Sequence, residues 1–463
     1  MAFGSRRSGW WFAALSAGLG SLAMGSALGG NLFGDQPSTA DGYATWDSDL
    51  INIEAVSQTG QGVYVAVLDT GMVPNWRDYF PESRVATHLG KGFVQPVSFK
   101  ARNDACGFGV TVGALRETTW VGSTGSTHGT HVASTILGYS YRSNSDAAQG
   151  YPLPPIMVRG IAPEVTIIPV RVLADYHVPA LPKCGPGIPS QTAVFGTDEM
   201  IAAGIDYVTD LAIAGYRPMV INMSLGGGEL ADVEKEALDR AIANGVIVVA
   251  SAGNEGESGM GYPGAYAPVI SVGSAGWTGE WHEPLDSAKR YRMWWLQYPE
   301  APLLPNSGQV ADATAIDDVY VSDFSSRELP GQQLDVLAPG SWVRGPFAGD
   351  PGFNHLPWWS KGIGDLVGGN AGNFYYVGGT SMAAPHVASL AALMLQKNPT
   401  LTQAQVESIL KSSALAMPTA GSRDIFDFTA PGTVTWDTNC SGTACNAVGA
   451  GLVQADAALT ATP

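Results

Sequence analysis

A chain of 463 residues with 45% apolar and 14% charged residues, 58 glycines and 30 prolines reads as a loop-rich globular protein with a large core, which excludes disorder over most of its length. Its formal charge of −17, with no run of Lys or Arg, excludes the clustered basic face that nucleic-acid binding needs. Length alone allows two or three domains, yet one α/β enzyme core can fill such a chain.

Near the N-terminus Arg6-Arg7 precede a stretch from Trp10 to Gly30 with no charged residue, the pattern of an export segment. Residues 1–30 are therefore expected to be a signal peptide, or an anchor attached to the membrane through 10–30, in a secreted or cell-envelope protein. From residue 61 onward, short apolar runs alternate with helical patterns, as in βαβ units around a parallel sheet buried on both faces. The spacing predicts strands at 63–68, 166–173, 219–223, 246–250 and 269–272. It predicts helices at 197–214, 230–244, 381–396 and 402–412, the second stopped by Asn244-Gly245. Segments near 277–321 and 341–374, rich in Trp, Pro and Gly without a period, read as surface insertions in one domain spanning 61–463. Cys440 and Cys445 are close enough in sequence for a loop-closing bridge, which leaves Cys106 to pair with Cys184; four free thiols are the alternative.

In an open α/β sheet, ligands bind beyond the carboxyl ends of the strands. Asp69-Thr70-Gly71, Ser224-Leu225-Gly226-Gly227 and Ser251-Ala252-Gly253-Asn254 each follow a predicted strand. Each alone is an ordinary turn or cap, but the three coincide. His128 lies in Thr127-His128-Gly129-Thr130-His131, where no Glu stands between the histidines as a zinc-peptidase helix requires. Ser381, in Gly379-Thr380-Ser381-Met382-Ala383-Ala384-Pro385-His386, follows glycine and opens a helix, so backbone N–H groups and the helix dipole face its hydroxyl. An α/β-hydrolase elbow is excluded because Ala383 stands where that motif has glycine.

Together these blocks resemble the subtilisin-like serine proteases, in which Asp-Thr/Ser-Gly, His-Gly-Thr-His and Gly-Thr-Ser-Met-Ala-Xaa-Pro-His blocks occur in this order. The resemblance implies a three-layer α/β fold with a mainly parallel sheet covered by helices on both faces, and hydrolysis of polypeptide substrates. It implies that Ser381 attacks, His128 moves the proton, Asp69 holds the imidazole and Asn254 donates to the oxyanion. A non-catalytic binding protein on this scaffold would lack a triad member, and none is missing. Ser224, Leu225, Gly226 and Gly227 match the substrate strand. Ser251, Ala252, Gly253 and Gly261 match the first specificity pocket, whose small walls imply a large apolar residue before the cut. No cofactor is implied for the chemistry, but Asp78 matches an acidic ligand of a structural calcium site. His131 and His386 read as helix-packing residues, and Met382 as an oxidation-sensitive neighbour of the nucleophile. Residues 31–60 match an N-terminal arm, which leaves little room for the folding prodomain common in exported relatives.

Overall fold

The computed structural model describes residues 10–12, 38–42, 44–102, 106–122, 126–141, 156–181, 189–282, 291–292, 316–347, 374–427 and 430–463. The elements that position the site are β1 (Trp10–Phe12), β2 (Tyr64–Asp69), β3 (Lys91–Val94), β4 (Arg116–Thr118), α1 (Thr127–Leu137), β5 (Thr166–Arg171), β6 (Ala174–Val178), β7 (Gln191–Thr197) and α2 (Asp198–Ile213). They continue with β8 (Met219–Met223), β9 (Gly226–Gly227), α3 (Asp232–Ala243), β10 (Ile247–Ser251), β11 (Ile270–Trp277), β12 (Val319–Val321), β13 (Val336–Pro339), α4 (Thr380–Lys397) and α5 (Gln403–Ser413).

Alternation along the central strands divides their side chains between two cores. Val65 and Val67 of β2 pack with Val132 and Ile136 of α1 and with Val387 and Leu390 of α4. Ala66 and Leu68 of the same strand face the other way, against Ile201 and Ile205 of α2 and Leu238 of α3. The result is the three-layer α/β arrangement expected from the sequence. The sheet runs β12-β11-β10-β8-β2-β5-β3-β4, with β13 also paired to β11. Pairing is parallel through the middle and antiparallel at β11–β12 and β3–β4. Gln403 ties α5 to the sheet: its side chain accepts from Val248 N–H and donates to Val248 O.

The element boundaries differ from expectation where backbone hydrogen bonds turn the chain. Asp69 and Ser251 are the last residues of their strands rather than the first residues after them. Strand β5 stops at Arg171 because Val172 and Leu173 direct their N–H groups back to Asp69 O. Strand β11 runs on to Trp277 because β13 and β12 give it further partners. The expected surface insertion near 277–321 ends inside the fold, with Trp277 and Val319–Val321 buried; residues 283–290, 293–315 and 348–373 lie outside the described residues.

A second, antiparallel sheet runs β6-β7-β1-β9. Of the expected export segment only Trp10–Phe12 is described, and its backbone forms the strand between β7 and β9. No helix among the described residues is long and apolar enough to cross a membrane. Cys440 and Cys445 form the expected bridge. Cys106 is also disulfide-bonded, while Cys184 lies outside the described residues.

Candidate active site

Three strand ends and two helix starts meet at one edge of the sheet. Asp69 closes β2, wholly buried, and its Oδ1 accepts from Thr70 N–H at 2.6 Å. The start of α1 is fastened to the same loop, since Ser126 Oγ donates to Thr70 O and Gly129 N–H donates to Thr70 Oγ1. Glycine at 129 permits this approach: a Cβ there would lie 2.3 Å from Gly71 O and 3.1 Å from Asp69 Cβ. His128 consequently lies with Nδ1 2.8 Å and 2.9 Å from the two Asp69 oxygens. An ionised carboxylate only accepts, so Nδ1 carries the proton and Nε2 keeps its lone pair.

Ser381 sits in the first turn of α4 and is 7% exposed. Pro385 lies four residues on and has no N–H to give to Ser381 O, so the helix leaves that carbonyl without its usual donor. The Ser224 hydroxyl fills the position, donating to Ser381 O at 2.7 Å, and Asn222 Nδ2 donates in turn to Ser224 Oγ at 2.9 Å. Ser381 Oγ donates to Ser224 O at 3.2 Å rather than to His128. Bonds of a nucleophile to its base commonly tighten only once substrate fills the site.

Asn254 is aimed by Thr380, which the sequence reading placed in the motif without a role. Its Oδ1 accepts from Thr380 N–H at 2.9 Å and from Thr380 Oγ1 at 3.0 Å. The amide nitrogen is thereby the donor end left over, and it has no partner among the described residues. The same hydroxyl accepts from Gly253 N–H at 3.2 Å, so Thr380 aligns α4 with the turn after β10.

The residues expected to contact substrate are also gathered here. Ser251 Oγ donates to Leu225 O at 3.1 Å, and Gly261 N–H donates to Ala252 O at 2.9 Å. Gly227 and Tyr262 exchange backbone bonds of 3.0 and 3.2 Å. Gly253 has φ +104°, and a Cβ there would lie 2.4 Å from Glu255 Oε2, which itself accepts from Ser326 Oγ. The edge at Gly226–Gly227 pairs antiparallel with an extended segment of this chain, Trp11 and Phe12.

His131 and His386 are structural: the first bonds Val343 O, while the second bonds Met382 O through Nδ1 and Asp47 through Nε2. Met382 is 1% exposed. Asp78 ends a short 3₁₀ turn, where its Oδ2 accepts from Asn75 Nδ2 at 3.2 Å. No group of three or more His, Cys, Asp or Glu side chains converges on a metal position among the described residues. The stretch expected to give calcium its carbonyl ligands falls largely in 142–155, outside the described residues.

The family model described as the subtilase family matches residues 60–451. Subtilisin DY of Bacillus licheniformis is 28% identical over 366 residues, covering 78% of this chain and 87% of its own length. Subtilisin E of Bacillus subtilis (strain 168) is 32% identical over 294 residues, covering 63% of this chain but only 51% of its own length. Among solved structures, fervidolysin from Fervidobacterium pennivorans, described as a keratinolytic enzyme related to subtilisin, superposes with a TM-score of 0.50 at 26% identity. That superposition covers 90% of this chain and 46% of the fervidolysin chain. The chain belongs to the subtilase family of serine proteases.

Proposed function

We propose that this chain is a serine endopeptidase in which Ser381 is the nucleophile, His128 the general base and acid, Asp69 the group that orients the imidazole, and Asn254 an oxyanion donor. The observation that carries the reading is the buried Asp69–His128 pair, with both oxygens within 2.9 Å of Nδ1, together with Ser381 at the start of α4, bonded to Ser224 after the neighbouring strand β8. Ser381 Oγ attacks the scissile carbonyl as its proton passes to His128 Nε2, and Asp69 stabilises the imidazolium so formed. Negative charge collects on the former carbonyl oxygen, where Asn254 Nδ2 and Ser381 N–H donate to it. His128 returns the proton to the leaving amine, and water repeats the sequence on the acyl-enzyme. The chemistry of the family is carried by protein groups, so no step passes through a metal.

Small walls at Ala252, Gly253 and Gly261 favour a large apolar or aromatic residue immediately before the cut. Glu255, already bonded to Ser326, is a poor anchor for a basic residue in that pocket. The Cys440–Cys445 bridge and the disulfide-bonded Cys106 support the reading of an exported protein, with residues 1–30 as its export segment. A diverse peptide library, digested with and without a fluorophosphonate and read by mass spectrometry, tests the reading. The expected result is fluorophosphonate-sensitive cleavage after Phe, Tyr, Leu or Met. A profile dominated by cuts after paired basic residues would contradict it.

A further inference from the structure

The channel that leads to Ser381 carries, at its far end, buried carboxylates that the proposed triad does not use. Strand β1 fills the slot between β7 and β9 and runs antiparallel to both: Phe12 lies opposite Phe195 and Gly226, Trp11 opposite Gly196 and Gly227, and Trp10 opposite Thr197. A substrate strand in that register puts the residue opposite Ser224 at the scissile carbonyl, because Ser224 O lies 3.2 Å from Ser381 Oγ. Counting back through Leu225 and Gly226, the residue opposite Gly227 is the fourth before the cut.

Two helices begin just beyond that position. Helix α2 starts at Asp198, directly after Thr197, and α3 starts at Asp232, shortly after Gly227. Asp198 is 7% exposed and Glu234, in the first turn of α3, is 0% exposed. One turn along the same face of α3, Ala237 and Leu238 join a cluster that also contains Leu225 of the substrate segment and Ile201 of α2. The Glu234 carboxyl therefore lies in the seam between the two helices, near the Asp198 carboxyl. Neither of its oxygens has a hydrogen-bond partner among the described residues. Burial first, and the Asp198 charge second, hold its pKa well above the usual carboxylate range. A carboxylate that only completed the fold would be met by first-turn N–H groups or a cation, since a buried unpaired acid is costly.

We propose that Asp198 and Glu234 form a cation-accepting subsite for the side chain of the fourth residue before the scissile bond, so that lysine or arginine is preferred there. A lysine ammonium brings three donors and a guanidinium five, enough to satisfy both Glu234 oxygens and to offset the Asp198–Glu234 repulsion. The inference rests on the proteolytic reading and adds to it a selectivity remote from the apolar pocket at the cut.

The test uses the full chain and peptides identical except at the fourth residue, which is Lys, Arg, Leu or Glu, with kcat/KM measured at one pH. Lysine and arginine peptides should exceed the leucine peptide by about tenfold or more, mainly through KM, and the glutamate peptide should be slowest. Glu234→Leu should reverse the order, lowering kcat/KM for lysine and raising it for leucine, and Asp198→Asn should shrink the basic preference severalfold. Thermal unfolding of each variant shows whether it is folded. If Glu234→Leu does not fold, Asp198→Asn decides alone, and an unchanged preference in it overturns the proposal. Wild-type cleavage without a basic preference overturns this inference and leaves the proteolytic reading standing. Absence of cleavage of every peptide overturns both.

Discussion

Asp335 and Glu234 are both wholly buried carboxylates, and their surroundings are opposite. Asp335, just before β13, accepts from Ser271 N–H at 2.9 Å, Gln333 Nε2 at 2.6 Å, Lys411 Nζ at 2.8 Å and the Ser271 hydroxyl at 3.1 Å. Glu234, by the substrate channel, accepts from nothing among the described residues. The same contrast separates the two regions around them. Near Asp335 the fold meets its own polar groups and fixes β11, β13 and α5 together. Along the channel hydrogen-bonding capacity is left open at the Asn254 amide nitrogen and at Glu234, and the Ser381–Ser224 bond is long. In this pair of carboxylates, saturation goes with a structural role, and open hydrogen-bonding capacity is what the subsite proposal rests on.

The largest effect that sharpens this contrast is on rate. Asn254→Ala should lower kcat about 10²- to 10³-fold, a magnitude carried over from subtilisin, with a much smaller change in KM and only the loss of about 1–2 kcal/mol of stability that follows from leaving Thr380 N–H without its acceptor. Steady-state kinetics beside a thermal melt would break the comparison if the effect fell on KM or on the melting temperature instead. Asp335→Ala should do the reverse, lowering unfolding free energy by about 1–3 kcal/mol while the folded fraction keeps its kcat, because the buried Ser271 N–H loses its acceptor whereas Lys411, partly exposed, keeps Glu407. Urea unfolding monitored with activity measures both. Ser224→Ala falls between the regions: it removes the donor that replaces the missing Pro385 N–H, so kcat should drop about tenfold and stability by about 1 kcal/mol.

The smallest effect concerns pH. Because the folded-state pKa of Glu234 is raised, the native protein holds that proton where the unfolded chain has lost it. Its presence therefore costs stability as pH rises above the unfolded value of about 4.3, and costs nothing below it. Glu234→Leu should raise the melting temperature at pH 8 and leave a much smaller difference at pH 4. A gain of equal size at both would show that packing rather than ionisation sets the penalty.

Strands buried on both faces were legible in the sequence because 219–223 and 246–250 are unbroken apolar runs. The edge strands β3, β4 and β12 were not, because Lys91–Val94 and Arg116–Thr118 are short and mixed in polarity and Val319–Val321 has only three residues. Asp69, His128, Ser381 and Asn254 were legible through ordered motifs. The positioning roles of Thr380 and the Ser224 hydroxyl were not, since they depend on contacts across long sequence separations, although Ser381 followed by Pro385 already implied an unpaired carbonyl. Asp198 and Glu234 stand in helix first turns, where acids are common, so the sequence alone does not single them out; burial does.

The central claim, that Ser381 is the nucleophile activated by His128, is tested most directly by fluorophosphonate labelling with intact-mass and peptide-level mass spectrometry. The account predicts a single adduct on Ser381 that forms in step with loss of peptide cleavage, and neither adduct nor cleavage in a folded Ser381→Ala variant. A Ser381→Ala protein with near wild-type turnover, or inactivation accompanied by an adduct on another residue, would contradict it.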